Sequence, residues 1–195
     1  MAGDPMGDIN SEIDGIAEVL ARKQDALDLI LRDSRAVIRL AAQAITIMHN
    51  DGDAKQTMAE LSKKVAALKS VDADFRNTTL QAYQEYAEAA IFSSIKTSGV
   101  IPDRESVGVD DEAYLMGMMD CVGELKREVT ERLGAGDLES AERYFSEMRS
   151  IFDATRSMRF AEAVLRGFRR KQDTARIQLE NAASDILSFK NRFTK

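Results

Sequence analysis

The sequence has few of the residues that build disulfides or histidine-rich metal sites. It contains one cysteine, Cys121, and one histidine, His49, in 195 residues. A single cysteine excludes a disulfide within the chain. Because Cys121 lies among apolar positions of a predicted helix, we expect a buried and inert thiol. One histidine excludes a His-rich zinc or iron site. The position of His49 before the residues NDGD favours a helix cap or a surface position.

Proline, tryptophan and long apolar runs are also scarce. The chain has two prolines and no tryptophan, and it lacks the ~18 consecutive apolar residues that a membrane span needs. The start, MAGDPMGDIN, lacks the basic and apolar regions of a secretory signal. These absences predict a cytoplasmic protein without a membrane partner. Residues 1–5 are interpreted as an expression-vector remnant ahead of a native start at Met6.

The residues that are present favour a helical protein. The composition is 44% hydrophobic and 31% charged, which is typical of a globular chain, and the length predicts a single domain over residues 1–195. Apolar residues recur at helical spacing from residue 9 to residue 50 without a proline. This stretch predicts one very long helix, or two stacked end to end. No strand pattern or internal repeat is visible in the sequence.

Stop and start signals divide the rest of the chain into further helices. We expect helices from Asp53 to about Ser70, from SVDAD (70–74) through Lys96, from Asp110 or Asp111 to GAGD (134–137), from Asp137 to about Met158, and from about Ala161 to Phe193. Glycines and a proline between residues 97 and 110 predict a loop, and Gly136 suits a left-handed helix end. The predicted fold is an all-α bundle of six or seven helices with a very long first helix.

Two of the predicted helices carry pairs of carboxylates. At about 100° per residue, Glu88 falls inside the apolar arc of the third helix, between Ile95 and Phe92, and Glu85 lies just beyond its edge. A buried carboxylate needs a basic partner, a proton or a cation, because desolvating the charge is costly. On the fourth helix, Asp120 and Glu124 are adjacent, opposite the apolar arc. The glycines at 117 and 123 in that helix predict close packing against a neighbour.

The two carboxylate pairs converge if the third and fourth helices pack antiparallel across the 97–110 loop. Four carboxylates without histidine suit a hard cation, Mg²⁺ or alternatively Mn²⁺. Such an ion polarises a phosphoryl group and activates water. Solvated helix faces carry the same spacings, so an ordinary polar surface stays open as an alternative. A ferritin-like di-iron site is excluded because the chain has no E-x-x-H sequence.

Basic residues are unevenly distributed in a chain whose net charge is −6. One group lies between Arg156 and Arg176, and a second occupies one stripe of the first helix at Arg32, Arg35 and Arg39. These groups are either solvated faces and intersubunit ion pairs or contacts to phosphate. The candidates for phosphate contact are Arg35, Arg39, Arg169, Arg170 and Lys171.

Several segments together resemble the translin and translin-associated factor X (Trax) family. AYLMGMMDCVGELKREV (113–129) is similar to a family pattern with Tyr-Leu-x-Gly-x-x-Asp-x-x-Gly-Glu-Leu, and LQAYQEYAEAAIF (80–92) resembles a second family helix. GAGDLESAERYFSEMRSIFDAT (134–155) and LRGFRRKQDTARIQLENA (165–182) are also similar to family segments. The resemblance covers most of the chain, and its motifs are specific in combination.

The resemblance implies an all-α protein that assembles into octamers and binds single-stranded RNA and DNA. In this family the Trax type is a metal-dependent endoribonuclease, whereas translin has apolar residues in place of the glutamates on the third helix. Glu85, Glu88, Asp120 and Glu124 match the acidic set of the Trax type. The short loop between the third and fourth helices departs from animal Trax and resembles an archaeal, self-assembling member.

The sequence therefore predicts a Mg²⁺-dependent endoribonuclease that acts on single-stranded RNA as a homo-oligomer. Glu85, Glu88 and Asp120 are the predicted metal ligands, and Glu124 either ligates the metal or orients the attacking water. Single-stranded DNA is an alternative ligand. Two other functions stay open. One is a non-catalytic scaffold that binds single-stranded nucleic acid, and the other is an all-α, Mg²⁺-dependent nucleotide pyrophosphatase.

Overall fold

The structure, a computed structural model, describes the chain from residue 5 to residue 193. Of residues 1–5, which are interpreted as a vector remnant, residues 1–4 lie outside the described residues. The described part contains a single helical turn at Ala73–Phe75 and seven α-helices: α1 (Pro5–His49), α2 (Lys55–Lys69), α3 (Arg76–Ser98), α4 (Arg104–Val107), α5 (Asp111–Gly134), α6 (Leu138–Thr155) and α7 (Phe168–Phe193). Within this part there are no strands, which confirms the all-α fold and the very long first helix.

The predicted helix ends are confirmed where local capping decides them. Asp110 accepts a hydrogen bond from the Ala113 N–H at 2.8 Å at the start of α5, and Asp137 caps α6 through the Ser140 N–H at 3.0 Å. Gly136 has the left-handed φ of 82° that its position predicts. At α2 the prediction is off by one residue: Ala54 is the N-cap, although the Asp53 carboxylate accepts from the Lys55 N–H.

The last two helices differ from the prediction. Helix α6 ends at Thr155, earlier than Met158, and α7 begins at Phe168, later than Ala161. The buried side-chain amide of Gln172 donates to the Thr155 carbonyl at 2.7 Å, which holds the end of α6 in a turn. Gly167 has a φ of 77°, a left-handed conformation that a continuous helix cannot contain. Residues 156–167 therefore form a connection of turns.

Helix α5 occupies the centre of the bundle and packs against α3, α6 and α7, while α1 packs against α2 and α3. Its apolar side chains meet those of the neighbouring helices in a core that includes Phe92, Ile91, Leu125, Met148 and Ile151, all at most 1% exposed. Burying each such side chain contributes about 1.5–3 kcal/mol of hydrophobic free energy. Cys121 is fully buried in this core, as predicted, and burial raises the pKa of its thiol.

The relative direction of α3 and α5 corrects the sequence prediction. Residues later in α3 contact residues later in α5: Arg76 pairs with Asp110, Gln84 with Asp120, and Lys96 with Glu128. The helices are therefore parallel, and the expected antiparallel packing is wrong. The connection 99–110, which includes α4, can span about 30 Å and so returns along most of α3, which is about 35 Å long.

Helix α7 runs parallel to α5 as well. Lys171 contacts Asp120, and further along both helices Lys126 binds Asp185 at 2.7 Å. Helices α3 and α7 thus flank the same part of α5, so that side chains from three helices meet around Asp120. In the part of the chain that the structure describes, no helix is long and apolar enough to cross a membrane.

Candidate metal centre and basic surface

A glycine allows the close contact that brings the acidic residues together. A Cβ atom at Gly117 would lie 2.5 Å from the Gln84 carbonyl oxygen and 2.8 Å from both the Ala87 Cβ and the Glu88 backbone nitrogen. Only a residue without a side chain permits α5 to approach the backbone of α3 so closely. Gly123 faces α7 instead, where a Cβ would lie 3.2 Å from the side-chain nitrogen of Gln178. The prediction that these glycines mark close packing is confirmed.

Glu88 is buried at this contact, as its position in the apolar arc of α3 predicts. Glu88 is only 8% exposed. Its side chain has no hydrogen-bond or ion-pair partner among the described residues. Burial, together with the negative charges of Asp120, Glu85 and Glu124, raises the pKa of Glu88 to about 9. In this environment the carboxyl group carries a proton at neutral pH unless a cation neutralises the acidic cluster, by which we mean Glu85, Glu88, Asp120 and Glu124.

Glu85 lies one turn before Glu88 on α3, at the edge of the same cluster. Burial and then the negative charge of Asp120 raise the pKa of its carboxyl group. The negative charges of Asp120 and Glu124 act on the pKa of both Glu85 and Glu88, so the four carboxylates lie within range of one another's charge. The four predicted residues are thus near one another, although α3 and α5 are parallel and not antiparallel as expected.

Asp120 is held by side chains from both neighbouring helices. Gln84 on α3 donates to its Oδ2 at 2.5 Å, and the Lys171 ammonium on α7 pairs with its Oδ1. Both carboxylate oxygens of Asp120 therefore have a partner. Lys171 is also the cation that lowers the pKa of Glu85 and Glu88, against the effects of burial and of the other carboxylates.

Glu124 is held by His49, whose expected role as a cap or surface residue is wrong. His49 is 5% exposed. Its Nε2 lies 2.5 Å from Glu124 and its Nδ1 lies 2.8 Å from Glu128, so the ring links two carboxylates one turn apart on α5. Burial lowers the pKa of His49, but the hydrogen bonds to Glu124 and Glu128 outweigh it and raise the pKa to about 8. Lys96 binds the buried Glu128 at 3.1 Å.

The donor chemistry of the four carboxylates suits a divalent cation, although their oxygens are not gathered around one point in this structure. The donors are all hard oxygens, the type that Mg²⁺ and Mn²⁺ prefer. Glu88 is a buried carboxyl group without a partner among the described residues, and the Lys171 ammonium already supplies one positive charge there. No three of these four residues place a carboxylate oxygen each within 4.8 Å of one another. Among the described residues, that spacing is met by His49, Glu128 and Glu131, where Lys96 and Arg132 already neutralise Glu128.

The predicted phosphate contacts lie on two separate helices. Arg35 and Arg39 are exposed on α1, and Arg169 and Arg170 are exposed on α7. None of these four arginines forms an ion pair with the described residues, so their charges face solvent. Lys171 differs from them, because it is half-buried against Asp120. It belongs to the acidic cluster as much as to the basic surface.

A cavity of about 380 Å³ is lined by both acidic and basic residues. Arg170, Lys171 and Thr174 line one side, and Asp120 lies on another, with Met116 and Met119. Anionic and cationic groups thus border the same opening, next to the acidic cluster. A volume of about 380 Å³ is at the lower end of the range of small-molecule sites.

Sequence reasoning missed the roles of His49 and Gln84. Both act across long separations in the chain, 75 residues from His49 to Glu124 and 36 from Gln84 to Asp120. The available signal for His49 was its place in helical register with the buried residues Ile45 and Met48. Gln84 adjoins Glu85 in the sequence but gave no separate signal.

Comparisons with known proteins agree with this architecture. Residues 26–182 match the model of the translin family. An uncharacterized protein of Methanocaldococcus jannaschii is 32% identical over 184 residues, which cover 91% of this chain and 82% of that protein. Two structures of AfC3PO are also similar. In its complex with duplex RNA it has a TM-score of 0.82 at 26% identity, covering 93% of this chain and 98% of AfC3PO. A second AfC3PO structure has a TM-score of 0.78 at 27% identity, covering 96% and 100%.

A further solved structure, apo-NeC3PO, supports the fold alone. It has a TM-score of 0.80 at 23% identity and covers 91% of this chain and 96% of NeC3PO. The match to the family model extends from α1 into α7 and includes all four residues of the acidic cluster. The relative from Methanocaldococcus jannaschii, an archaeon, agrees with the archaeal resemblance. The chain belongs to the translin family.

Proposed function

We propose that this protein is a Mg²⁺-dependent endoribonuclease that cleaves single-stranded RNA. The observation that carries the proposal is Glu88, a buried carboxyl group without a partner among the described residues, whose pKa is raised by the charges of three further carboxylates. One of these, Asp120, lines an open cavity. Such an arrangement lowers the stability of the fold, because each negative charge disfavours ionisation of the other carboxyl groups. A purely structural role therefore does not explain it. A function that needs hard oxygen ligands explains why the four residues are together.

The cation would be held by Glu85, Glu88 and Asp120, with Glu124 as a fourth ligand or as the residue that orients water. When bound, a divalent cation supplies Lewis-acid polarisation of the scissile phosphate and makes water a stronger nucleophile. The residues of the chain supply orientation and charge. His49 holds the Glu124 carboxylate in place through Nε2, which leaves its other oxygen free to accept a proton from water.

RNA would approach across the basic surface of α7. Arg169 and Arg170 present unpaired charges to solvent beside the cavity that contains Asp120. Guanidinium groups bind phosphate oxygens in a bidentate manner, and together with Arg35 and Arg39 they would position the strand without reading its sequence. The AfC3PO complex with duplex RNA, at 26% identity, supports RNA as the ligand class. Single-stranded DNA is the alternative ligand.

Self-association is part of the proposed function, with an octamer as the expected assembly. The N-terminal half of α1 exposes a stripe of apolar side chains that no described residue covers: Ile9, Ile13, Ile16, Val19 and Leu20. Exposed apolar stripes of this kind mark contact surfaces. Sedimentation velocity of the purified protein measures the oligomer number directly, and a monomer at micromolar concentration would contradict this part of the proposal.

The decisive experiment measures cleavage of labelled single-stranded RNA with Mg²⁺, with Mn²⁺ and with EDTA. Asp120→Asn and Glu88→Gln are expected to lower the cleavage rate at least 100-fold. Glu180→Gln is the matched control, because this exposed carboxylate on α7 pairs with Arg176 outside the cluster; it should retain the wild-type rate. Cleavage that persists in both site variants would refute the acidic site. Duplex RNA and single-stranded DNA, tested in parallel, measure the strand preference.

A second candidate function, a non-catalytic scaffold for single-stranded nucleic acid, is favoured by one observation. Both oxygens of Asp120 already have protein partners, Gln84 and Lys171, as expected of a structural ion pair. RNA binding with no cleavage under any cation condition would support the scaffold. Hydrolysis of nucleoside triphosphates without RNA cleavage would instead support a nucleotide pyrophosphatase.

A further inference from the structure

Lys171 occupies the place of a cation in the acidic cluster. Its ammonium pairs with Asp120 Oδ1, while Gln84 takes Oδ2. A divalent ion that binds Asp120 therefore competes with these two partners for the carboxylate. Of the two partners, Lys171 is the one that a divalent cation disfavours, because a divalent cation and an ammonium on the same carboxylate repel each other, whereas the Gln84 amide is neutral.

The surroundings of Lys171 provide a second position for the displaced ammonium. The residue is half-buried, and it lines the same cavity as Arg170 and Thr174. The four-carbon stem of lysine is flexible, and its ammonium binds phosphate as a point charge without a fixed direction. A rotation of the side chain away from Asp120 would therefore bring the ammonium into the part of the cavity that Arg170 already makes cationic.

We propose that Lys171 is an exchangeable counter-ion, which neutralises Asp120 while the cluster lacks a divalent cation and binds an RNA phosphate once a cation has displaced it. This inference rests on the proposed function, because it assigns the cation to the four carboxylates and the phosphate to RNA. Its consequence is a coupling between two binding events. A cation releases the ammonium that RNA uses, and by linkage RNA strengthens the binding of the cation.

The first test measures the affinity for Mn²⁺ alone, by electron paramagnetic resonance of the free ion, with the full-length protein. Lys171→Met removes the competitor and is expected to bind Mn²⁺ about three- to five-fold more tightly, the factor expected for a partly exposed ion pair. Arg170→Met is the matched control. It removes the same charge from the same cavity without touching Asp120, and we expect a change of less than about two-fold.

Equal effects of Lys171→Met and Arg170→Met, or weaker Mn²⁺ binding by Lys171→Met, would overturn the inference. Asp120→Asn separates this outcome from failure of the metal site itself. If Asp120→Asn leaves Mn²⁺ binding unchanged, both the proposed metal site and the exchange are wrong. If Asp120→Asn weakens Mn²⁺ binding while the lysine and arginine variants are equal, the metal site stands and only the exchange is wrong.

The second test measures the coupling with a 2′-O-methyl RNA strand, which lacks the 2′-hydroxyl groups. Fluorescence anisotropy gives its affinity in EDTA and in Ca²⁺. For the wild type we expect Ca²⁺ to strengthen binding, and for Lys171→Met we expect this gain to be at least three-fold smaller. Arg170→Met should weaken binding in both conditions and keep the gain. Lys171→Gln serves as a second variant with a polar side chain, and an undiminished Ca²⁺ gain in both Lys171 variants would refute the coupling.

Discussion

Gly117 is the residue on which the contact between α3 and α5 depends, and Gly117→Ala tests that dependence. The added Cβ would lie 2.5 Å from the Gln84 carbonyl oxygen and 2.8 Å from the Glu88 backbone nitrogen. Both atoms belong to the backbone of α3, so no side chain can rotate away to accommodate the methyl group. The two helices must move apart instead.

The magnitude follows from two opposing terms. Overpacking a close contact costs typically 1–3 kcal/mol, and a clash with backbone belongs at the upper end of that range. Alanine in place of glycine inside a helix recovers about 1 kcal/mol. We therefore expect Gly117→Ala to lower the free energy of unfolding by about 2 kcal/mol. It should also weaken Mn²⁺ binding, since Glu88 and Asp120 lie on the two helices that separate.

Two other glycines provide matched controls for the same substitution. Gly15 lies inside α1 with no atom within 4 Å of an added Cβ, so Gly15→Ala should stabilise the protein by up to about 1 kcal/mol. Gly123→Ala meets only the Gln178 side chain at 3.2 Å, which can shift, and its effect should fall between the other two.

Urea denaturation followed by circular dichroism, at one fixed protein concentration, gives the three free energies of unfolding. The expected order of stability is Gly15→Ala above Gly123→Ala above Gly117→Ala. A Gly117→Ala protein as stable as the wild type, with unchanged Mn²⁺ affinity, would refute the reasoning. In that case the approach of α3 to α5 would not determine the geometry of the cluster.

Three further predictions concern single side chains. Without divalent cations, Glu88→Gln should be more stable than the wild type. The difference should grow by about 1 kcal/mol per pH unit as the pH rises from about 4.5 towards the raised pKa of about 9; denaturation at pH 5 and 8 checks this, and a constant difference would contradict it. His49→Leu should cost about 3 kcal/mol, because it removes a partner of the fully buried Glu128. Since the pKa of His49 is raised to about 8, the loss should be larger at pH 6 than at pH 9 in thermal denaturation; a larger loss at pH 9 would show that His49 is neutral. Asp137→Ala should cost about 1 kcal/mol by removing the cap on the Ser140 N–H, whereas Asp137→Asn should retain most of the stability in the same assay.

The sequence predicts the features that depend on neighbours along the chain. Helical periodicity identifies α1, α3 and α5, and short-range caps at Asp110 and Asp137 locate two helix starts. The burial of Glu88 is also a local property, because the wheel of α3 places it between two core side chains. For the same reason, the glycines of α5 could be interpreted as close contacts before any partner helix was known.

The features that the sequence does not determine depend on contacts between distant segments. The types of residue in the 99–110 connection are compatible with either direction of α5. The parallel arrangement is possible because the connection is long enough to return along α3. The residues before Gly167 favour a helix locally, so the interruption depends on that glycine and on Gln172, 17 residues from the carbonyl of Thr155 that it caps. The sequence favours a cap because His49 ends α1, and only the fold, which places this end of α1 beside α5, gives His49 two carboxylate partners.

The length of α1 has a consequence for local stability. The helix has 45 residues, about 68 Å, whereas α5 has 24 residues, about 36 Å. Residues 9–25 are exposed along their whole length, while Ile30, Val37 and Ala41 are buried. An isolated helix of that size is marginal in water, so the backbone amides of a lone chain should exchange with deuterium within seconds in the first half of α1 and slowly in the second. Amide protection in residues 9–25 therefore measures directly how much of this half another surface covers.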